Sequence, residues 1–483
     1  FSIVFIVACL QVFLLSAQKA ETVTTYDKIF TNYSTSWIGN EGGYEDVHIP
    51  HDMLNMYVRN DGAVATICGW DEGGTNVGVF KDGKLISRPE GSGTGGYGRF
   101  SGKAVVMDEQ YVYQLLSQNG CDGANKDLNM NGLLQFPPCS PDEEWKTVRR
   151  YHYADGTGAP FASGYGYKGD MLVVCRGKRE LNGLAIDKEF LYVAVAGEPG
   201  SGMSDSIKIY SCKDLSPAGG YSLTGGTGHM YADNKGGIWI LQGNAINRID
   251  GKNGKKLPQS VAIPEGAVVS SFAVDTQRNR LLLPNRGKDM NVLIYENIYE
   301  KPVQTGTFGS TGGIFSRSGK YMQGEVGPLR FGGPFGVGVD GKGNIYVANT
   351  FVAGGRGASL EAYNENNQSL LWKQEGLIFT ATADFDDTTP HVFYTPEKIH
   401  SVDVIKNRGK RLDKYVAFTV NPFAFPDDER CRENGPFITS CFKRTINGES
   451  FLFVSDMYGA MLAGYRFDKP KHGYVAVPFF LAS

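Results

Sequence analysis

From about residue 55 onward the chain alternates short apolar runs with breaks rich in Gly, Asn and Asp. The clearest unit is Gly327 to Asn349, GPLRFGGPFGVGVDGKGNIYVAN, in which Gly-Val-Gly-Val-Asp passes through Gly-Lys-Gly into Asn-Ile-Tyr-Val-Ala. Two apolar runs around such a turn predict an antiparallel hairpin. Looser copies begin at Met56, Lys103, Asn182, His229 and Ser271, and two weaker ones follow, around Thr382 to Val420 and Phe451 to Val477. No window of a dozen residues keeps an i, i+3, i+4, i+7 apolar pattern free of Gly and Pro, so helices are not expected. The hairpin-like stretch Tyr165 to Cys175 could add one more strand pair.

The turns of the six clearest units carry Asp61, Asp108, Asp187, Asp233, Asp275 and Asp340. Most of their separations match a four-stranded propeller blade of roughly 40 to 50 residues, and the two longer gaps absorb insertions. The expected fold is therefore all-β, a β-propeller of four-stranded antiparallel blades. Eight blades are favoured, with six or seven as alternatives. Such an array buries its faces only between neighbours, which predicts a single domain over 51–483 behind a lead-in at 21–50.

Composition fits this reading. The 63 glycines are about twice the average share of ~7% and follow no collagen period. They accompany 25 Tyr and 28 Phe, suited to turns with positive φ and to aromatic packing between sheets. A net charge of -3, with no basic block, argues against a nucleic-acid partner.

The opening FSIVFIVACLQVFLLSA is apolar and ends in small residues, which predicts an export signal over 1–20, truncated at its start and cleaved before function. No membrane span is expected after cleavage, so the protein is placed outside the cytoplasm. Oxidising surroundings favour local disulfides. Cys121 with Cys139, and Cys431 with Cys441, bracket Pro-containing insertions and are the expected pairs. Cys68 and Cys175 sit in strand-like runs as small hydrophobes.

The central unit resembles an NHL repeat, matched at Pro334, Gly336, Val337, Val339, Asp340, Gly343, Asn344, Ile345, Tyr346, Val347 and Ala348. That resemblance implies propeller geometry and no particular activity. Asn182-Gly-Leu-Ala followed by Leu191-Tyr-Val is similar to the gluconolactonase and senescence-marker-protein propellers, where an Asn at this place helps bind a divalent metal beside carboxylates. Here the corresponding positions are Lys103, Gly228, Ser270 and Phe335, none of them acidic. The histidine-held zinc of NHL-type amidating lyases directs attention to His229, near the start of an inner strand. Asn182 and His229 are thus the candidate metal residues.

Other motifs are weaker. Gly91-Ser-Gly-Thr-Gly-Gly lacks the strand and helix of a dinucleotide site. Asp127-Leu-Asn-Met-Asn-Gly resembles the first half of a calcium loop, but Pro138 stands where a closing Glu is required. No cofactor is expected, calcium being the one candidate cation. Trp70 beside Asp71 and Glu72 pairs an aromatic plane with carboxylates, as sugar sites do. Arg317, Tyr321, Arg330 and Arg356 lie in long loops flanking the central unit, and long loops on a rigid scaffold tend to carry function.

These observations point to a secreted, non-catalytic scaffold that binds a glycan or an extracellular protein. The alternative is a carbohydrate- or lactone-active hydrolase or lyase with an axial metal or acid and base groups. A structural or adhesive repeat protein is the third reading.

Overall fold

The computed structural model describes residues 31–32, 53–68, 77–89, 100–118, 128–135, 144–198, 200–316, 327–350, 358–376, 384–394, 398–402, 413–418, 427–428, 430, 438–456, 461–470 and 473–482. They form eight sheets of four consecutive antiparallel strands, and the described residues include the short 3-10 segment Gly313–Phe315 but no α-helix. The all-β expectation and the repeat of four-stranded units are both met.

The first sheet holds Asn55–Val58, Val64–Ile67, Val77–Lys81 and Lys84–Ser87. The second holds Phe100–Met107, Tyr111–Gln118, Trp145–His152 and Met171–Arg176, so the hairpin-like Tyr165 to Cys175 stretch supplies this sheet's outer strand. The third, fourth and fifth sheets open with Leu181–Ile186, Met230–Ala232 and Ala273–Asp275. The sixth opens with Pro334–Val339 and Ile345–Thr350, and its outer strand Leu370–Gly376 receives Thr31–Asn32 in parallel. The seventh runs from Asp384 to Phe418 and the eighth from Ile438 to Ala482.

Packing joins six of these sheets into a closed ring. Each buries an apolar cluster against the next: Ile67 and Val79 meet Val105 and Met107, Val106 and Leu115 meet Leu184 and Val193, and Ala194 and Ile207 meet Ile238 and Ile240. Trp239 and Val261 then meet Phe272 and Leu283, and Leu282 and Phe308 meet Val337 and Tyr363. The sixth cluster closes the circle, because Tyr346, Ala348 and Leu360 pack on Met56, Val58 and Phe80 of the first sheet. Thr350 clamps that seam through its hydroxyl, which accepts a bond from the Met53 amide at 2.7 Å and donates to the Met53 carbonyl at 2.8 Å, across 297 residues.

The seventh and eighth sheets bury a cluster of their own, with Val392, Tyr394 and Ile399 against Val454 and Tyr465. The eight units are therefore eight sheets, of which six make the ring. The six carry the six turn aspartates.

In the eighth sheet Cys441 is a buried residue of the strand Ile438–Ile446, in the cluster with Val454, rather than the end of an insertion. Cys121, Cys139 and Cys431 lie outside the described residues. Cys68 is buried, and Cys175 is half-buried against the second and third sheets, where burial raises its thiol pKa.

Candidate functional site

Strand alternation gives the ring two unlike ends. The first and third connections of each sheet fall at one end, the second and fourth at the other. At the first end lie the tight turns with the six aspartates. At the second, the strands bounding 69–76, 90–99, 317–326 and 351–357 begin and end.

At the turn end the aspartates are structural. Asp187 Oδ1 accepts the amides of Glu189 at 2.8 Å and Phe190 at 2.7 Å, and its Oδ2 accepts the Tyr192 hydroxyl at 2.8 Å. Asp108 does the same with Gln110, Tyr111 and Tyr113, and Asp340 with Lys342, Asn344 and Tyr346. Arginine replaces the tyrosine at Asp233, which takes Arg248 at 2.8 Å, and at Asp275, which takes Arg280 at 2.8 Å. Asp61 is gripped by Arg59 and Lys81, and the Arg59 guanidinium holds its carboxyl far below the usual range. Each carboxylate thus satisfies turn amides and ties the turn to its own sheet, to the second strand at Asp108, Asp187, Asp275 and Asp340 and to the third at Asp61 and Asp233. Tyr192→Phe removes one such tie, and urea denaturation should show a loss of about 1 kcal/mol.

The turns surround an open cavity of about 1030 Å³, walled by the first four sheets through Asn60, Gln110, Ile186 and Asn234. Its floor includes Tyr57. The Tyr57 and Tyr231 rings stack with centroids 5.7 Å apart and planes 20° apart. These residues come from the inner strands of the first and fourth sheets, opposite one another in a six-membered ring, so the pair blocks the axis. Burial pushes the Tyr57 hydroxyl up to about 12. A smaller pocket of about 90 Å³, lined by Tyr57, Tyr231, Asp275 and Asp340, continues the cavity round the axis.

At the loop end, successive inner strands are stitched together. Lys103 pairs with Glu180, the Asn182 amide donates to Thr227 Oγ1 at 2.9 Å, and the Ser271 hydroxyl donates to the Phe335 carbonyl at 2.6 Å. Lys103, Asn182 and Phe335 each occupy a register shift of their strand, an irregularity that re-aims a side chain. His229 Nδ1 accepts the Phe272 amide at 3.3 Å, and its ring meets Phe272 edge-on at 4.8 Å. Burial lowers the pKa of this half-buried imidazole to about 3.

The candidate residues are distributed unevenly over this frame. Asn182 and His229 both sit at the loop end, but their partners are Thr227 and Phe272 rather than carboxylates. Among the described residues, no three His, Cys, Asp or Glu side chains come together as a metal site. Arg330 is half-buried at the entry to the sixth sheet, its amide bonded to the Gly327 carbonyl at 3.1 Å. Trp70, Asp71, Glu72, Arg317, Tyr321 and Arg356 lie outside the described residues, in connections whose flanking strands end at the loop end.

In the calcium-like stretch Asp127 lies outside the described residues, and the two asparagines are engaged locally. Asn129 Oδ1 accepts the amides of Asn131 and Leu133, and the Asn129 and Asn131 side-chain amides donate to Gly164 and Phe161 carbonyls. Both asparagines brace a turn.

Sequence reasoning passed over Tyr57 and Tyr231. A signal was there, since they stand four and two residues before Asp61 and Asp233. Even offsets along a strand share one face, here the axial one.

No protein-family model matches the chain, and no curated protein matches it. Solved structures that resemble it include a gluconolactonase from Xanthomonas campestris, 17% identical with a TM-score of 0.28. That match covers 46% of this chain and 64% of the gluconolactonase, so the chain spans less than two thirds of it. BamB from Moraxella catarrhalis is 11% identical over 70% of this chain and 80% of its own, with a TM-score of 0.27. A Bacteroides thetaiotaomicron protein of unknown function is 13% identical over 67% and 72%, with a TM-score of 0.38. The propeller architecture stands on the sheet order and the ring of inter-sheet clusters.

Proposed function

We propose that this chain is an exported propeller scaffold without catalytic chemistry, which holds a glycan or an extracellular protein at its loop end. The carrying observation is the asymmetry of the ring. One end carries the six tight Asp turns, with 153–170 as its one long described connection, while the long connections 69–76, 317–326 and 351–357 all depart from the other. A rigid ring presenting its long loops on one side is how many scaffolds build a recognition surface. Trp70, Asp71 and Glu72 would supply stacking and hydrogen bonds for a sugar, and Arg317, Tyr321, Arg330 and Arg356 further contacts. The blocked axis and the amide and hydroxyl partners of His229 and Asn182 weigh against an axial metal centre.

The test replaces 69–76 and 351–357 by short Gly-Asn turns and compares both proteins on an array of extracellular polysaccharides and by cross-linking to extracellular proteins. Retention should be lost while thermal unfolding is unchanged. Release of new reducing ends or unsaturated products from any polysaccharide by the intact protein would overturn the non-catalytic reading.

A further inference from the structure

From the turn-end cavity we infer a second binding site, independent of the loop end, that takes a neutral oligosaccharide between Tyr57 and the amide side chains of Asn60, Gln110, Asn234 and Gln277. These four residues come from the turns of the first, second, fourth and fifth sheets, and all are exposed. None of the four side-chain amides makes a hydrogen bond within the described residues, whereas the aspartates beside them are saturated by their own turns. Asn60 and Asn234 line both the large cavity and its smaller extension. The larger volume, about 1030 Å³, is at the upper end of the ~300–1,000 Å³ typical of small-molecule sites.

The chemistry selects the ligand class. A carboxamide donates and accepts at once, which is what a sugar hydroxyl requires of a partner. An anion would need donors only, and the cations Arg59, Lys188 and Lys213 of the lining are outnumbered by the carboxylates of Asp61, Asp108, Glu109, Asp187, Asp275 and Asp340. A cation would need carboxylate oxygens in reach, yet these are engaged by backbone amides, Tyr hydroxyls, Arg and Lys. Met107 and Ile186 add apolar wall beside the Tyr57 ring, matching the C–H faces of a pyranose. What remains is an uncharged ligand with many hydroxyls.

Calorimetric titration of the full chain with cellotetraose, maltotetraose, xylotetraose and tetragalacturonate tests this. At least one neutral tetramer should bind at or below about millimolar Kd. The double variant Asn60→Ala, Asn234→Gly should weaken it about tenfold or more. Asn234 has φ 53°, a left-handed conformation that Gly adopts freely, so the turn survives and the thermal midpoint should hold. Replacing the loop-end segment 351–357 should leave this affinity unchanged, which separates the site from the loop-end reading. Tighter binding of tetragalacturonate, affinity indifferent to the double variant, or no binding of any neutral tetramer would each overturn the inference.

Discussion

Gly338→Ala should destabilise the ring by about 2–3 kcal/mol, at the upper part of what overpacking costs. Gly338 is buried in the inner strand of the sixth sheet, in an ordinary extended conformation, so backbone strain is not the reason. Space is. A Cβ there would stand 2.2 Å from Val58 Cγ2 and 2.7 Å from Val58 Cβ, on the inner strand of the first sheet. Valine is stiff at χ1 and cannot swing aside, so the two sheets must separate. Gly336→Ala offers a contrast, because its Cβ would meet the Met56 side chain at 2.7 Å, and methionine is flexible enough to yield. Urea denaturation should rank Gly338→Ala well below Gly336→Ala. Adding Val58→Ala to Gly338→Ala should recover part of the loss, a coupling of the kind contacting residues show. Additive effects would mean that the first and sixth sheets do not meet.

The second large effect is a dependence on pH. His229 has its pKa lowered by burial to about 3, against about 6.5 in an unfolded chain. Above pH 6.5 the imidazole is neutral in both states and adds no slope. As pH falls from 6.5 toward 3, the unfolded chain takes up a proton that the folded protein refuses, so stability declines by up to about 1.4 kcal/mol per unit. In His229→Gln the side-chain carbonyl can still accept the Phe272 amide, while the titration is gone. Stability of the variant measured against the parent at pH 7, 6, 5 and 4 should therefore rise progressively as the pH falls. Parallel curves would show that His229 is solvated and titrates normally. Carboxylates common to both proteins cancel in the difference.

The local grammar of the fold was legible because it is carried by local chemistry. Asp187-Lys-Glu-Phe-Leu-Tyr and Asp340-Gly-Lys-Gly-Asn-Ile-Tyr announce a turn through an Asp that caps amides, and a second strand through the residues that follow. The second glycine of Gly-Val-Gly-Val makes room for Val58, a residue 280 positions earlier, and no local pattern reveals that. Which sheets close on one another is a long-range fact of the same kind. The six turn aspartates marked the six ring members, yet the units around Thr382 and Phe451 read as blades too, since a four-stranded sheet looks alike in sequence wherever it packs. Strand Ile438–Ile446 was hidden because Cys441 was read as the end of a Pro-containing insertion, whereas it is a buried residue within that strand.

The sites divide along the same line. Asn182 and His229 were noticed through family resemblance and do stand at one end of the ring, but their partners come from the next sheet in each case, Thr227 and Phe272. The turn-end cavity left no motif. Asn60, Gln110, Asn234 and Gln277 look like ordinary turn residues, and only the ring brings them around one axis. Tyr57 and Tyr231, some 170 residues apart, reveal themselves as a plug only when the first and fourth sheets face each other.

Everything above depends on closure of the first sheet against the sixth, and a disulfide across that seam tests it most directly. In Met53→Cys, Thr350→Cys the two thiols occupy positions joined by paired hydrogen bonds of 2.7 and 2.8 Å, close enough for a bridge. Mild oxidation of the monomer, followed by proteolysis and mass spectrometry, should yield a linked peptide containing residues 53 and 350, formed at a rate independent of protein concentration. Linked peptides that appear only in dimers, at a rate rising with concentration, would contradict the closed six-sheet ring.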